Sequence, residues 1–345
     1  MVYSTVIFGM RVCDLFAGLG GFTCGALEAG ANVVLAVDSD PVPLKLLGAN
    51  APRTPTVVAT LGKEAVELPP AAPDLHVHMS TPCTTLSMAR RGKTTVASND
   101  GLQMIRWAVQ FVLERGDQSW SLENVATKST RTLFSELEAA YPEQVAWGVF
   151  DSADFGAPQS RVRLIAGPKK LIRMLQGIPC SRRVSIRDAF AERGEAPPAS
   201  HCKNQTRSHG GDPTMRTIET QSFTVCAGHA LTWCHPDGKT VRVMTARESS
   251  VLMTFPPSWR LPNGSRVSQR AVGNAVCVAL AKAITLAAIA VLNGEVAVLT
   301  TPHIPPTPIK KRAIEEVFRG EYDALRRRVD KLEERVAPCE EKPRS

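Results

Sequence analysis

The sequence predicts an α/β fold, a doubly wound and mostly parallel sheet that carries a smaller lobe. Three observations lead to it. Short apolar runs alternate with helical periodicities through the first half of the chain. A glycine cluster, Gly18-Leu19-Gly20-Gly21, follows directly on the first of those runs. The 345 residues, 43% of them hydrophobic, suffice for about two domains, or one α/β domain with a lobe.

Taken in order, Arg11 to Phe16 reads as a strand entering the glycine turn, and a helix from Phe22 to Ala29 stops at Gly30. A second strand, Asn32 to Val37, ends at Asp38, and a helix runs from about Val42 to Asn50. Leu75 to Met79 is a strand before Thr81-Pro82-Cys83, Leu102 to Leu113 a helix, Ser119 to Leu122 a strand before Glu123-Asn124, and Arg163 to Ala166 another strand. From Pro168 to about Lys239 the periodicity fades while Pro, Gly, Ser, His and Arg accumulate, a boundary signal. Pattern returns over Val241 to Leu252 and in one Ala-rich helix from Ala271 to Leu292. The expected segments are therefore a first catalytic part at 1–167, a small lobe at 168–240, a return to the catalytic domain at 241–300, and a linker with a charged helix at 301–345. In that last segment Phe318, Tyr322, Leu325, Val329, Leu332 and Val336 form a heptad seam. The seam either pairs two chains into a homodimer or packs back onto the protein's own surface.

Composition excludes several classes. No run approaches the roughly 18 uninterrupted apolar residues of a membrane span, and the first fifteen residues lack a basic segment followed by a long apolar one. Nine cysteines without a CxxC pair suit an intracellular, reducing compartment. Between Ser160 and Gly273 there are 18 Lys and Arg against 7 Asp and Glu, so this region supplies more than the whole net charge of +8. Such a concentration points to a phosphate-facing surface rather than an ordinary solvated face.

The candidate site residues follow from where they fall. Gly18, Gly20 and Gly21 let the backbone approach a ligand and leave helix amides open. Asp38, about twenty residues on at the end of the second strand, stands where an acid accepts hydrogen bonds from ribose hydroxyls. Thr23 occupies the place of the last glycine of a dinucleotide-binding GxGxxG, which favours S-adenosyl-L-methionine over NAD. Cys83 lies on a loop at the carboxyl end of a strand, where reactive groups collect. Glu123 ends another strand of the same sheet, and Arg161 and Arg163 share one face of an incoming strand by period two. His201-Cys202, Cys226-Ala227-Gly228-His229 and Cys234-His235 match no common zinc spacing, so no metal is expected.

In order, these residues resemble the motifs of the cytosine-C5 DNA methyltransferase family. Asp14-Leu15-Phe16-Ala17-Gly18-Leu19-Gly20-Gly21-Phe22 is similar to its first motif, Pro82-Cys83 to its nucleophile motif and Glu123-Asn124-Val125 to its acid motif. Asp154 to Arg163 resembles its arginine motif, Arg247-Glu248 with Phe255-Pro256 its ninth, and Gly273-Asn274-Ala275-Val276 its tenth. The resemblance spans about Arg11 to Leu292. It implies a Rossmann-like fold with a target-recognition lobe and methyl transfer to carbon 5 of a flipped-out cytosine. Cys83 is then the nucleophile, Glu123 the acid at ring nitrogen 3, Arg163 the hold on the base carbonyl, and Arg161 a help in positioning. It places the cofactor by Phe16, Ala17, Gly18, Leu19, Gly20, Gly21, Asp38, Asn274 and Val276.

The chain departs from the family pattern at four places. Thr84-Thr85 stand for Gln-Pro, no acid lies between Ala59 and Leu61, Asp100-Gly101-Leu102 replaces Asp-x-Arg, and Cys277 replaces a proline. An RNA-directed relative and a catalytically impaired DNA-binding homologue are the alternatives. The first lacks support in any Cys-Phe-Thr of the recognition region, and the second would be expected to have lost Cys83 or Glu123.

Overall fold

The computed structural model describes residues 9–82, 95–204 and 214–294, with backbone alone at 95–99. Cys83, the Thr84-Thr85 departure and the C-terminal seam lie outside the described residues. Those described belong to one compact unit.

Seven strands form the main sheet: β1 (Arg11–Leu15), β2 (Asn32–Asp38), β3 (Thr56–Val58), β4 (Leu75–Met79), β5 (Ser119–Val125), β6 (Ala146–Asp151) and β7 (Val162–Gly167). Their order is β3-β2-β1-β4-β5-β7-β6. The first five run parallel, and β7 is antiparallel to both β5 and β6. A helix or long crossover joins successive parallel strands, as parallel pairing requires. These helices are α1 (Gly21–Glu28), α2 (Pro41–Asn50), α3 (Thr95–Arg115) and α4 (Lys128–Ala140).

Each strand serves two cores because its side chains alternate. On β1, Val12 joins the core that contains Phe22 and Leu47, whereas Cys13 and Leu15 join the one beneath α3 and α4. Helix α3 contributes Ile105, Ala108, Val109 and Val112 to the second core, a 3.6-residue stripe. The first core is closed by α9 (Val278–Leu292), which lies on α1. At Gly25 the two helices come so close that a Cβ would stand 2.6 Å from Ala281 and from the Val278 carbonyl.

One expectation about elements needs correction. The single helix expected from Ala271 to Leu292 is two, α8 (Ser265–Asn274) and α9, separated by extended backbone at Ala275 and Cys277. The apolar run continues through the break, so hydropathy alone could not show it. On length and composition Ser265–Leu292 is apolar enough to cross a membrane, but 61% of its most apolar window is buried within the protein, as in a core helix. The regular stretch expected over Val241 to Leu252 is a strand, β11 (Thr240–Val243), followed by α7 (Ala246–Leu252). Strand β6 carries the apolar positions Val149 and Phe150 and was not expected from the sequence.

The small lobe contains a four-stranded antiparallel sheet, ordered β11-β10-β8-β9, with β8 (His201–Lys203), β9 (Met215–Thr217) and β10 (Thr232–Cys234). Trp233 and Cys202 are fully buried beneath it. Helix α5 (Lys169–Gly177) falls in the segment expected to form the lobe, yet packs on β6 and α9 of the main layer. Helix α6 (Ile186–Ala191) opens with a capping box between Ser185 and Asp188 and presents Phe190 edge-on to Trp233.

Candidate active site

The carboxyl ends of β1, β2, β4 and β5 face one crevice edge, the usual ligand side of a parallel sheet. Phe16, just past β1, has φ 63°, a left-handed conformation that is unusual for a non-glycine residue and costs about 1–3 kcal/mol. The turn then passes Gly18 (φ 51°) and Gly20 (φ 83°) before α1 begins. Glycine at position 21 is required by packing, since a Cβ there would stand 2.1 Å from the Val276 carbonyl oxygen. The tenth-motif turn thus lies against the glycine turn. Asn274 is exposed and Val276 buried at that junction.

Asp38 closes the same turn. Its Oδ2 accepts from the Gly18 amide at 2.7 Å and its Oδ1 from the Asp40 amide at 2.8 Å, while burial raises its pKa. The Leu19 carbonyl accepts from the Trp259 indole at 3.1 Å, and Phe16 meets Trp107 edge-on at 6.4 Å. Asp14 acts as a cap from outside the helix. Its Oδ2 accepts from both the amide and the hydroxyl of Thr23, at 3.0 and 2.6 Å, while its Oδ1 has no hydrogen-bond partner among the described residues. Burial drives this carboxyl up to about 7 against the two hydrogen bonds from Thr23. Glu64, three residues beyond Leu61, accepts from the Thr60 amide at 3.1 Å.

On β5, Glu123 is 9% exposed and its Oε1 lies 2.8 Å from Arg163 Nε. Arg163 also donates from Nη1 to the Val162 carbonyl, and these two bonds do not use Nη2. The next residue, Asn124, donates to the carbonyl and hydroxyl oxygens of Thr81 at 3.1 and 2.9 Å, holding the peptide that precedes Pro82-Cys83 against the acid's strand. Asn124 and Thr81 stand within the quoted motifs, but their contact is not legible there because it joins residues 43 apart.

Arg161 is buried. It precedes β7, is 3% exposed, and donates to the backbone carbonyls of Val225, Gly273 and Ala275 at 2.8, 3.1 and 3.1 Å. Period two does put it on the face of Arg163, but the guanidinium clasps the lobe to the tenth-motif turn. Gln159 extends the clasp, accepting from the Val225 amide and donating to the Leu252 carbonyl.

With this geometry the comparisons agree. The family model for C-5 cytosine-specific DNA methylases matches residues 10–171 and 183–290, and the chain belongs to that family. Its members are methyltransferases that act on carbon 5 of cytosine in DNA, and the relatives bear names of the same class. The Type II methyltransferase M.XorII of Xanthomonas oryzae pv. oryzae is 28% identical over 52% of this chain, a match that spans 45% of M.XorII. M.AquIA of Picosynechococcus sp. is 28% identical over 48% of this chain and 74% of its own length, and M1.HphI of Haemophilus parahaemolyticus 23% identical over 85% and 90%. Among solved structures, a DNA modification methyltransferase encoded within an E. coli prophage superposes with a TM-score of 0.59 at 18% identity, covering 83% of this chain and 100% of that one. That likeness shows the fold.

Proposed function

We propose that this chain transfers a methyl group from S-adenosyl-L-methionine to carbon 5 of a cytosine flipped out of double-stranded DNA. The observation that carries the proposal is the Glu123–Arg163 pair on β5 and β7, beside an Asn124 that pins the segment leading to Cys83. The glycine turn fits the cofactor. Gly20 puts no side chain over the start of α1, where Asp14 accepts from the Thr23 amide, Asp38 offers a carboxylate at the strand end, and Phe16 opens the turn in a left-handed conformation. When bound there, the cofactor supplies an electrophilic methyl on a sulfonium.

The chain's own residues do the rest. Carbon 5 of cytosine is a poor nucleophile until the thiolate of Cys83 adds to carbon 6 and pushes electron density into the ring. Glu123 delivers a proton to ring nitrogen 3, where the charge develops, while the Nη2 edge of Arg163 holds the base carbonyl. After methylation a solvent base takes the carbon 5 proton, the thiolate of Cys83 is expelled and nitrogen 3 returns its proton to Glu123, which restores the aromatic ring. Flipping the base costs a few kcal/mol, to be recovered from phosphate contacts by the basic region between Ser160 and Gly273. We infer likewise an intracellular, reducing location, in keeping with the seven described cysteines being free. The C-terminal seam is proposed to pair two chains, which light scattering of a chain truncated before Pro308 would test. Bisulfite sequencing of DNA from cells expressing the protein tests the main proposal, and an absence of new 5-methylcytosine would refute it.

A further inference from the structure

Beneath the active-site edge, two strands carry a polar line through the core that the chemistry above does not use. On β4, His76 and His78 point to the α1 side of the sheet while Leu75, Val77 and Met79 fill the opposite core. On β5, Ser119, Ser121 and Glu123 share one face by period two, and the register pairs His76 with Ser119 and His78 with Ser121. The side chains interleave. Ser119 Oγ meets His76 Nδ1, His76 Nε2 meets Ser121 Oγ, Ser121 Oγ meets His78 Nδ1, and His78 Nε2 meets Ser80 Oγ, each at 2.8 Å. The Phe22 ring is stacked on His78, 3.4 Å between centroids and 1° from parallel, so the imidazole has little room to turn.

Both histidines and Ser121 are fully buried. Burial drives the His76 imidazole down to about 3 and His78 well below its usual range, so both rings are neutral at working pH. A neutral imidazole has one N–H and one bare nitrogen, and a hydroxyl has one proton. Ser121, placed between two ring nitrogens, donates to one and accepts from the other. The tautomer of His76 therefore fixes that of His78, and the line has two self-consistent polarities. In one, His78 Nε2–H donates to Ser80 and leaves the Ser80 proton to point outward. In the other, Ser80 donates into His78 and presents lone pairs outward.

A folded core does not need such a line. Apolar residues at these four positions would fill the same layer without the cost of desolvating imidazoles and hydroxyls, which satisfied hydrogen bonds merely offset. We propose that His76, Ser121 and His78 form a proton-ordered chain that positions Ser80 and, with the Asn124 hold on Thr81, sets the segment entering Pro82-Cys83. Ser80 is fixed from two sides, by His78 and by its own amide on the Leu15 carbonyl at 3.1 Å. The residues of the chain are positioning residues, and the inference rests on Cys83 being the nucleophile of the proposed function.

The test uses full-length protein labelled with 15N-histidine, whose ring tautomers are read from long-range 1H–15N correlations, together with steady-state methylation. His78→Gln assigns the His78 signals. Ser121→Ala, which cuts the chain, is expected to lower kcat on the order of tenfold while KM for S-adenosyl-L-methionine stays within about twofold. Ser119→Ala, at the partly exposed far end, is expected to shift the tautomer balance of His78, a ring it does not touch. Should Ser121→Ala fail to fold, Ser119→Ala carries both readouts, with a smaller fall in kcat. An unchanged His78 tautomer in folded Ser119→Ala overturns the chain. So does a kcat for folded Ser121→Ala within about twofold of wild type, or a matched fall in kcat and rise in KM. Wild-type protein that methylates no DNA refutes the functional reading, and with it the role of Ser80. Active wild type with either negative result refutes the chain alone.

Discussion

The two sheets of this protein are built on different terms. Strands of the main sheet run to seven residues, and β4 is buried at every position; those of the lobe have three or four, and β11 is exposed at all four of its residues. The main sheet places named side chains within hydrogen-bond distance of one another at its carboxyl edge. The lobe instead rests on a buried Trp233 and carries part of a diffuse basic excess. Reaction chemistry tolerates little displacement of its groups and so demands a rigid, buried frame. Phosphate contacts need charge of one sign within reach and accept a looser one. Arg161 is where the two meet, since its guanidinium binds the lobe's Val225 and the tenth-motif turn at Gly273 and Ala275 together.

The sharpest way to break this comparison is at the chemistry itself. Cys83→Ser is expected to lower methylation by about a thousandfold or more, because a hydroxyl is a far poorer nucleophile at neutral pH, while DNA affinity in a binding assay stays near wild type. Glu123→Gln is expected to cost about 10²–10⁴-fold in kcat with the fold intact. Substantial carbon 5 methylation by purified Cys83→Ser would move the nucleophile elsewhere.

Next in size is the clasp. Arg161→Ala leaves three buried carbonyls without their donor and is expected to destabilise the protein by about 3 kcal/mol or more, read as a fall in melting temperature. Arg163→Ala leaves the Glu123 carboxylate buried without its cation, so it too should lower the melting temperature, and the folded variant should in addition lose turnover. A loss of turnover no larger in folded Arg163→Ala than in folded Arg161→Ala would erase the distinction between the two arginines.

What the sequence revealed follows the same division. The glycine turn, Asp38, Glu123 and Arg163 were legible because each lies at the end of a short periodic run, and strand ends can be read from local pattern. The use of Arg161 was not, because its partners lie 64, 112 and 114 residues away. Asp14 was quoted within a motif yet its capping of Thr23 passed unnoticed, since a cap supplied from a neighbouring strand leaves none of the usual signal at the helix start. The break between α8 and α9 was hidden by continuous apolarity, and β6 by a run in which only Phe150 and Asp151, with Ala146, are buried.

Within the cofactor turn the expected effect is smaller. Asp38→Ala removes charge-assisted acceptors for ribose hydroxyls and for the Gly18 amide, and S-adenosyl-L-methionine affinity by calorimetry should weaken by about 1.5–3 kcal/mol. Equal affinity would place the ribose elsewhere.

The last prediction concerns pH and sets the turn against the polar line beside it. The Asp14 carboxyl, raised to about 7 in the folded protein, takes its ordinary low value when the chain unfolds. Between about 4 and 7 the unfolded chain has released a proton that the folded protein keeps. Asp14 therefore contributes stability that is fully present below about 4 and is lost as pH rises to 7, at about 1.4 kcal/mol per pH unit. His76 works in the opposite sense. Its folded value of about 3 lies below the ordinary 6.5, so its contribution is present above 6.5 and is lost as pH falls toward 3. His78, held well below its usual range, adds a slope of the same sign as His76, so across the common window Asp14 offsets only part of the two histidines' effect. Asp14→Asn keeps an oxygen to accept from the Thr23 amide and hydroxyl while removing one slope. The variant should be more stable than wild type at pH 8, and its stability should fall more steeply between pH 6.5 and 4. Denaturant unfolding across that range measures both, and parallel curves for the two proteins would show that Asp14 is ionised in the folded state throughout.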